Sequence, residues 1–315
     1  MKTKNYLMGI ILCLVATVAW GGMFPVMNPA LQIIDPVYFT LIRYSSVGII
    51  FAILLLFTEG FKAFKPEGHF KKLWLLGTFA FAGFNLLVFL GQHIAGKSGS
   101  LIASVMMAVQ PLIGALLNWL FKKKRPSNVA FISMLIALVG IFLVVTKGNP
   151  AALSGGMTIV YATLLIFIAD LCWVLFTMGG EDFKDWSILR YSTLTTIYGV
   201  LSVAVITVIA TLLGWINVPT LMQLDKIKPA FLYMIAFAGV IALFSWNLGN
   251  RYLGPINGIL FMNVEPITAF LVMTLSGYPT TAAEIIGCIL TITALIINNL
   301  YLRFQKKAPK SEITE

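Results

Sequence analysis

The chain is 315 residues long, 59% hydrophobic and only 11% charged, with a mean hydropathy of +0.92, whereas a soluble domain would carry about 25% charge. That balance excludes a soluble enzyme or binding module and marks an integral membrane protein surrounded by lipid. The net charge of +10 does not point to nucleic acid, because the lysines and arginines sit in short loops between apolar runs rather than on one folded face.

At about 20 apolar residues per crossing, ten spans are expected, at about 6–27, 37–57, 73–92, 99–121, 128–146, 155–178, 187–213, 230–250, 256–276 and 281–303. The first run lacks a small-residue cleavage site and reads as a spanning helix, not a signal sequence. The connections are short, and stretches such as Phe121 to Pro126 and Lys147 to Pro150 carry the charge, glycine and proline that end helices. Most of the basic residues, among them Lys62, Lys71, Lys122, Lys184, Arg251 and Lys306, fall in loops on one side, against Lys97, Lys147, Lys226 and Lys228 on the other. The positive side faces the cytoplasm. An even number of crossings then puts both termini inside, in a plasma membrane. Cys13, Cys172 and Cys288 lie singly inside apolar runs, so neither a disulfide framework nor a metal knuckle is expected.

The chain repeats itself. Thr40-Leu-Ile-Arg43-Tyr-Ser-Ser46 opens the second span and Ser187-Ile-Leu-Arg190-Tyr-Ser-Thr193 the seventh, with arginine, tyrosine and serine in the same register. Trp20 matches Trp173, the stretch Gly91 to Gly96 matches Gly249 to Gly254, and Gln110-Pro111 matches Glu265-Pro266. These offsets lie between 147 and 158 residues, which fits one duplication into units at 1–150 and 151–315. Five spans per unit is an odd number, so the units lie in opposite orientations. The expected fold is therefore an all-α membrane protein of ten transmembrane helices arranged as two inverted five-helix repeats, with a site near the midplane between them.

The segment Gly258 to Ser276 holds one acid and one proline inside a run long enough to span a bilayer. A carboxylate there is costly unless it is protonated, paired or facing internal water. Pro266 removes a helical hydrogen bond beside Glu265, Pro111 does the same beside Gln110, and Pro25 interrupts the first span.

With these residues in view, the chain resembles the EamA-type transporters of the drug/metabolite transporter superfamily. The resemblance is carried by Trp20-Gly21-Gly22-Met23-Phe24-Pro25, Ile42-Arg43-Tyr44, Gln110-Pro111 and Glu265-Pro266 in order, over about residues 6–303. It implies a ten-helix carrier with a central cavity that moves small organic solutes, often amino acids or other metabolites, outward. The glutamates that commonly follow spans four and nine in that family are absent, since the corresponding stretches read Phe121-Lys-Lys-Lys-Arg125 and Leu275-Ser-Gly-Tyr-Pro279.

Each site candidate has a bland reading beside the functional one. Glu265 either serves transport or is a neutral structural carboxyl, and Asp170 either lines the cavity or pairs with a neighbouring helix. If Glu265 holds a proton in one conformation and gives it up in another, it couples transport to protons. Arg43 meets an anionic substrate group, extends to the interface, or pairs with Asp170 or Glu265, while Arg190, close to the cytoplasmic edge, snorkels. Trp20 and Trp173 wall a cavity or simply pack. Asn85, Asn247 and Asn263 bond a solute or join helices. Ser100, Ser104 and Ala108 mark close helix contact.

No phosphate-binding loop is present, so a secondary carrier driven by a gradient is the leading function, with no cofactor and no metal. Its partners are a small-molecule substrate, the lipid bilayer and, through Glu265, protons; no nucleic-acid partner is expected and the sequence leaves the oligomeric state open. An exporter of hydrophobic cations is the alternative within transport. An intramembrane enzyme using His93 with Ser98 or Ser100 is the alternative from another class.

Overall fold

The computed structural model describes residues 3–123, 125, 127–149 and 157–307. Among them the chain is entirely helical. The helices are α1 (Thr3–Ala30), α2 (Pro36–Glu59), α3 (Phe70–Ile94), α4 (Gly99–Met107), α5 (Gln110–Lys122), α6 (Asn128–Thr146), α7 (Met157–Gly179), α8 (Ile188–Leu212), α9 (Lys228–Leu253), α10 (Pro255–Leu275) and α11 (Ala282–Lys307). Seven of these are long and apolar enough to cross a bilayer, and an eighth span is reached by taking α4 and α5 as one helix bent by 43°. The apolar stretches Phe131–Val144 and Ala282–Ala294 are shorter. The expected junction of the two units, at 150 and 151, lies outside the described residues, as does part of each of the Lys122 to Pro126 and Lys147 to Pro150 loops.

Local chemistry sets the helix ends. Asp35 accepts the Val37 amide at 2.8 Å while Pro36 supplies the first helical φ, which starts α2. Ser187 caps α8 by accepting the Arg190 amide at 2.9 Å, so Arg190 is the third residue of its helix whereas Arg43 is the eighth of α2, a full turn deeper. Gly60, with φ +76°, closes α2 in a conformation that a side chain would strain. Pro111 and Pro266 begin helices rather than interrupt them, and Pro25, expected to interrupt the first span, lies inside a continuous α1. Val109 and Pro111 mark the fresh start of α5 after the bend, and a 3₁₀ stretch, Ile259–Asn263, gives way to α-helix at Val264, two residues before Pro266.

Two spans contain π-helical turns, Thr78–Phe84 in α3 and Ala236–Ile241 in α9. They lie 158 residues apart, the offset that relates Gly91 to Gly249. Such turns lift carbonyls out of the regular helical ladder and are frequent at functional sites.

Helix pairing follows one pattern. Helix α1 packs along α9 and α10, α3 along α7, α2 along α8, α4 on α10, α5 on α7, and α6 along α11. The surface turned away from these contacts is apolar, with Ile49, Phe57, Leu135, Leu201 and Val205 exposed, as a lipid-facing surface requires. Close backbone approach brings α1 to the centre: a β-carbon on Gly21 would lie 2.7 Å from the Glu265 carbonyl oxygen, so only glycine lets α1 rest on that turn.

Candidate functional site: a buried cavity at the centre of the bundle

The π turns present carbonyls to the middle of the bundle, and buried donors converge on them. Arg43, fully buried on α2, donates from Nε to Met234 O at 3.0 Å and from Nη2 to Ala238 O at 2.9 Å. Trp20 Nε1 on α1 donates to the same Ala238 carbonyl at 2.9 Å. In α3 the matching carbonyl, Ala80 O, receives Asn85 Nδ2 at 2.7 Å. Asn85 Oδ1 accepts Tyr44 Oη at 3.0 Å and Arg43 Nη1 at 3.3 Å. Arg43 therefore has its charge spread over backbone carbonyls, an amide oxygen and the Tyr44 ring, whose centroid is 4.5 Å from the guanidinium carbon. It forms no ion pair with Asp170 or Glu265.

These residues enclose a cavity. It is lined by Trp20 and Met23 of α1, Arg43 and Tyr44 of α2, Phe84 and Asn85 of α3, Gln110 of α5, Trp173 of α7, and Met262 and Glu265 of α10. The room left within it for a water-sized sphere is about 10 Å³, scarcely one water molecule. Trp20 and Trp173 meet edge to face with centroids 5.1 Å apart, Phe84 lies 4.8 Å from Trp173, and the fully buried Trp246 closes the cluster 5.4 Å from Trp20. Asp170 stands one residue behind this wall, where Oδ1 accepts Gln110 Nε2 at 2.8 Å. Among the described residues no protein donor reaches the Glu265 carboxyl, and Gln110 Oε1, Asp170 Oδ2 and Trp173 Nε1 are buried without a partner.

The comparisons agree with an arrangement built for passage through a membrane. The EamA-like transporter family model matches residues 7–146. The uncharacterized transporter YrdR of Bacillus subtilis is 45% identical over 303 residues, covering 96% of this chain and 94% of that protein. The chain belongs to the EamA-like transporter family. A second Bacillus subtilis transporter, YyaM, is 26% identical over 278 residues and 86% of each chain, and the inner membrane transporter YicL of Salmonella typhimurium is 24% identical over 314 residues, 95% of this chain and 98% of its own. A solved crystal structure shares the fold at a TM-score of 0.67 and 15% identity, covering 98% of this chain and all of that one.

In this transporter the cavity gathers Trp20, Arg43, Asn85, Gln110, Trp173 and Glu265, all singled out in the sequence, with Asp170 attached through Gln110. Asn247 and Asn263 lie elsewhere. Asn247 donates to Ser192 Oγ at 2.8 Å and faces a separate vestibule of about 390 Å³, lined also by Thr177, Tyr191, Asn250 and Arg251. Asn263, in the 3₁₀ turn before Glu265, is buried with both side-chain polar atoms unpartnered. His93 bonds the Leu31 carbonyl at 2.7 Å and Ser100 donates to the Phe24 carbonyl at 3.0 Å, so these two side chains are engaged with α1 and its end rather than with each other. Among the described residues no group of three or more His, Cys, Asp or Glu side chains is placed to hold a metal. Arg190 stacks on Trp186 at 3.8 Å and reaches Glu67 and the Ala63 and Lys65 carbonyls at the bundle's rim.

Four lining residues were not among the sequence candidates. Tyr44 was in plain view inside the repeated Arg-Tyr-Ser motif, and Phe84 adjoins Asn85. Met23 and Met262 read as ordinary span residues. Trp246, which packs behind the lining, has valine at the matching position, Val88, so the internal repeat gives no signal for it.

Proposed function

We propose that the protein is a secondary carrier that moves small organic metabolites, amino acids or related solutes, outward across the plasma membrane by alternating access around the Glu265 cavity. The observation that carries this reading is the convergence of Trp20, Arg43 and Gln110 from one half of the chain with Trp173 and Glu265 from the other on a single buried space. A midplane site between two halves is how inverted-repeat carriers are organised. Outward movement is what the family likeness favours.

The reading includes ten crossings, with α6 and α11 as the fifth and tenth, both termini cytoplasmic, and two inverted five-helix units. The pairing supports it: exchanging the two units turns the contact of α1 with α9 into that of α7 with α3, the contact of α1 with α10 into that of α7 with α5, and returns the α2 with α8 and α6 with α11 contacts to themselves. The π turns at matching positions support it as well. Glu265 is the coupling group in this scheme, taking a proton in the buried site and releasing it when the cavity wets.

Metabolite profiles inside and outside cells with and without the protein identify the solute. In vesicles with an imposed pH gradient, Glu265→Gln is then expected to fold and insert, because Gln110 occupies the matching place in the other half, yet to lose gradient-driven accumulation of that solute. Undiminished accumulation would make Glu265 structural.

A further inference from the structure

We infer that the group this carrier recognises is an ammonium, held by the Glu265 carboxyl against the aromatic faces of Trp20, Trp173 and Phe84; the inference rests on the carrier reading above and names its substrate class. The cavity wall is unequal in donors and acceptors. Its donors are engaged: Arg43 Nε and Nη2 on the Met234 and Ala238 carbonyls, Arg43 Nη1 and Tyr44 Oη on Asn85, Asn85 Nδ2 on Ala80, Trp20 Nε1 on Ala238, and Gln110 Nε2 on Asp170. Only Trp173 Nε1 lacks an acceptor. The acceptors are in surplus, because Gln110 Oε1 and Asp170 Oδ2 are buried without partners, and the Glu265 carboxyl lining the space accepts no hydrogen bond among the described residues. A guest that brings N–H donors satisfies this wall, whereas a carboxylate adds acceptors where donors are lacking.

Charge favours the same guest. The Glu265 carboxyl and the Arg43 guanidinium line the space and a second carboxyl, Asp170, stands behind it on Gln110, so with both acids ionised one negative charge is left over in a low-dielectric setting. A proton or a single organic cation removes it, and the two therefore compete. Trp20, Trp173 and Phe84 offer π faces suited to a cation, and Met23 and Met262 are flexible enough to yield to a guest larger than the space now left. Arg43, which the sequence offered as a partner for a substrate carboxylate, is a fixed part of the wall.

Phenethylamine, phenylalanine and phenylacetate share one ring and differ in charge, and calorimetric titration of the purified full-length transporter separates them. Phenethylamine should bind at least about tenfold more tightly than phenylacetate, with phenylalanine between them. Its affinity should fall as the pH is lowered and drop at least about tenfold in Glu265→Gln. Should that variant fail to fold, Trp173→Leu, which removes a π face and leaves the carboxyl, should weaken phenethylamine several-fold and leave phenylacetate unmoved. Equal or tighter binding of phenylacetate, unchanged amine affinity in folded Glu265→Gln, or binding of none of the three overturns the inference. The carrier reading is judged separately, by the gradient-driven flux of the solute found in the metabolite profiles.

Discussion

The corner around Gln92 and the corner around Asn250 come from matching stretches of the chain and are built in opposite ways. At the first, Gln92 Nε2 is within hydrogen-bonding distance of Phe24 O, Asn28 Oδ1 and Ser100 Oγ, at 2.8, 3.3 and 3.1 Å, which ties α1, α3 and α4 together. At the second, Asn250 turns back to the Trp246 carbonyl at 2.8 Å, its Oδ1 is unpartnered, and the counterpart of Ser100 is Gly258. The space left there is the vestibule of about 390 Å³. The corners sit at opposite ends of α1, since Gly9 packs on Tyr252 and Leu253 while Leu31 meets His93. Matching stretches are thus tied together by side chains at one corner and left loose at the other, although a recess of about 290 Å³ lined by Leu31 and His93 also opens at the end of α1 nearest Gln92. Beside the vestibule, Trp246 Nε1 donates to Thr177 Oγ1, one of its lining residues, at 3.3 Å.

The largest expected effect concerns the two arginines, which occupy the same place in the repeated motif. Replacing Arg43 with alanine strips donors from two buried carbonyls and from Asn85, each unsatisfied group costing about 1–3 kcal/mol, and thermal unfolding in detergent should show it as a strongly lowered midpoint. Arg190→Ala removes contacts at the rim, where such pairs contribute about 0–1 kcal/mol, and should leave the midpoint nearly in place. Comparable losses at both positions would erase the distinction between a buried keystone and an interfacial anchor.

A smaller effect is expected from building the tied corner into the loose one. In Gly258→Ser the added side chain meets Asn250, and such overpacking costs about 1–3 kcal/mol. Transport should slow while insertion persists. Labelling of a cysteine placed at Glu181, on the vestibule wall, by a membrane-impermeant thiol reagent should fall in the same variant. Unaltered labelling would show that Gly258 does not keep the vestibule open.

The converse change should have the mildest effect. Ser100→Gly deletes one partner of Gln92 and the donor to Phe24 O, about 1 kcal/mol. A cysteine at Asn28 should become somewhat more reactive from that end of the bundle. No change there would mean the remaining Gln92 contacts suffice to hold the corner.

Much of this was legible in the sequence because membrane burial leaves a coarse mark. Apolar length marks the membrane helices, of which seven, or eight with the bent pair, are long enough to cross against the ten expected, and isolated groups such as Glu265, Arg43 and Gln110 are conspicuous in hydrocarbon. The Arg-Tyr-Ser motif stands in the sequence twice, at Arg43 and at Arg190. What the sequence withheld depends on contacts between helices. Nothing in Thr78–Phe84 or Ala236–Ile241 announces a π turn, so the acceptors of Arg43 and Trp20 were invisible and partners were sought among acids instead. Asn247 looked equivalent to Asn85 as a polar residue in a third or eighth span, yet it bonds Ser192 and faces the vestibule. A lone asparagine carries no record of which side of its helix meets the cavity.

The Ala238 carbonyl has a consequence of its own. Its oxygen receives Trp20 from α1 and Arg43 from α2, using both lone pairs of one acceptor on α9. Three helices are therefore pinned at a single atom. A helix turns about 100° per residue, so a rotation of α9 that withdraws this oxygen releases both donors in the same movement, and a slide of α1 or α2 alone leaves the other still fastened. The oxygen is thus a common rivet for α1, α2 and α9.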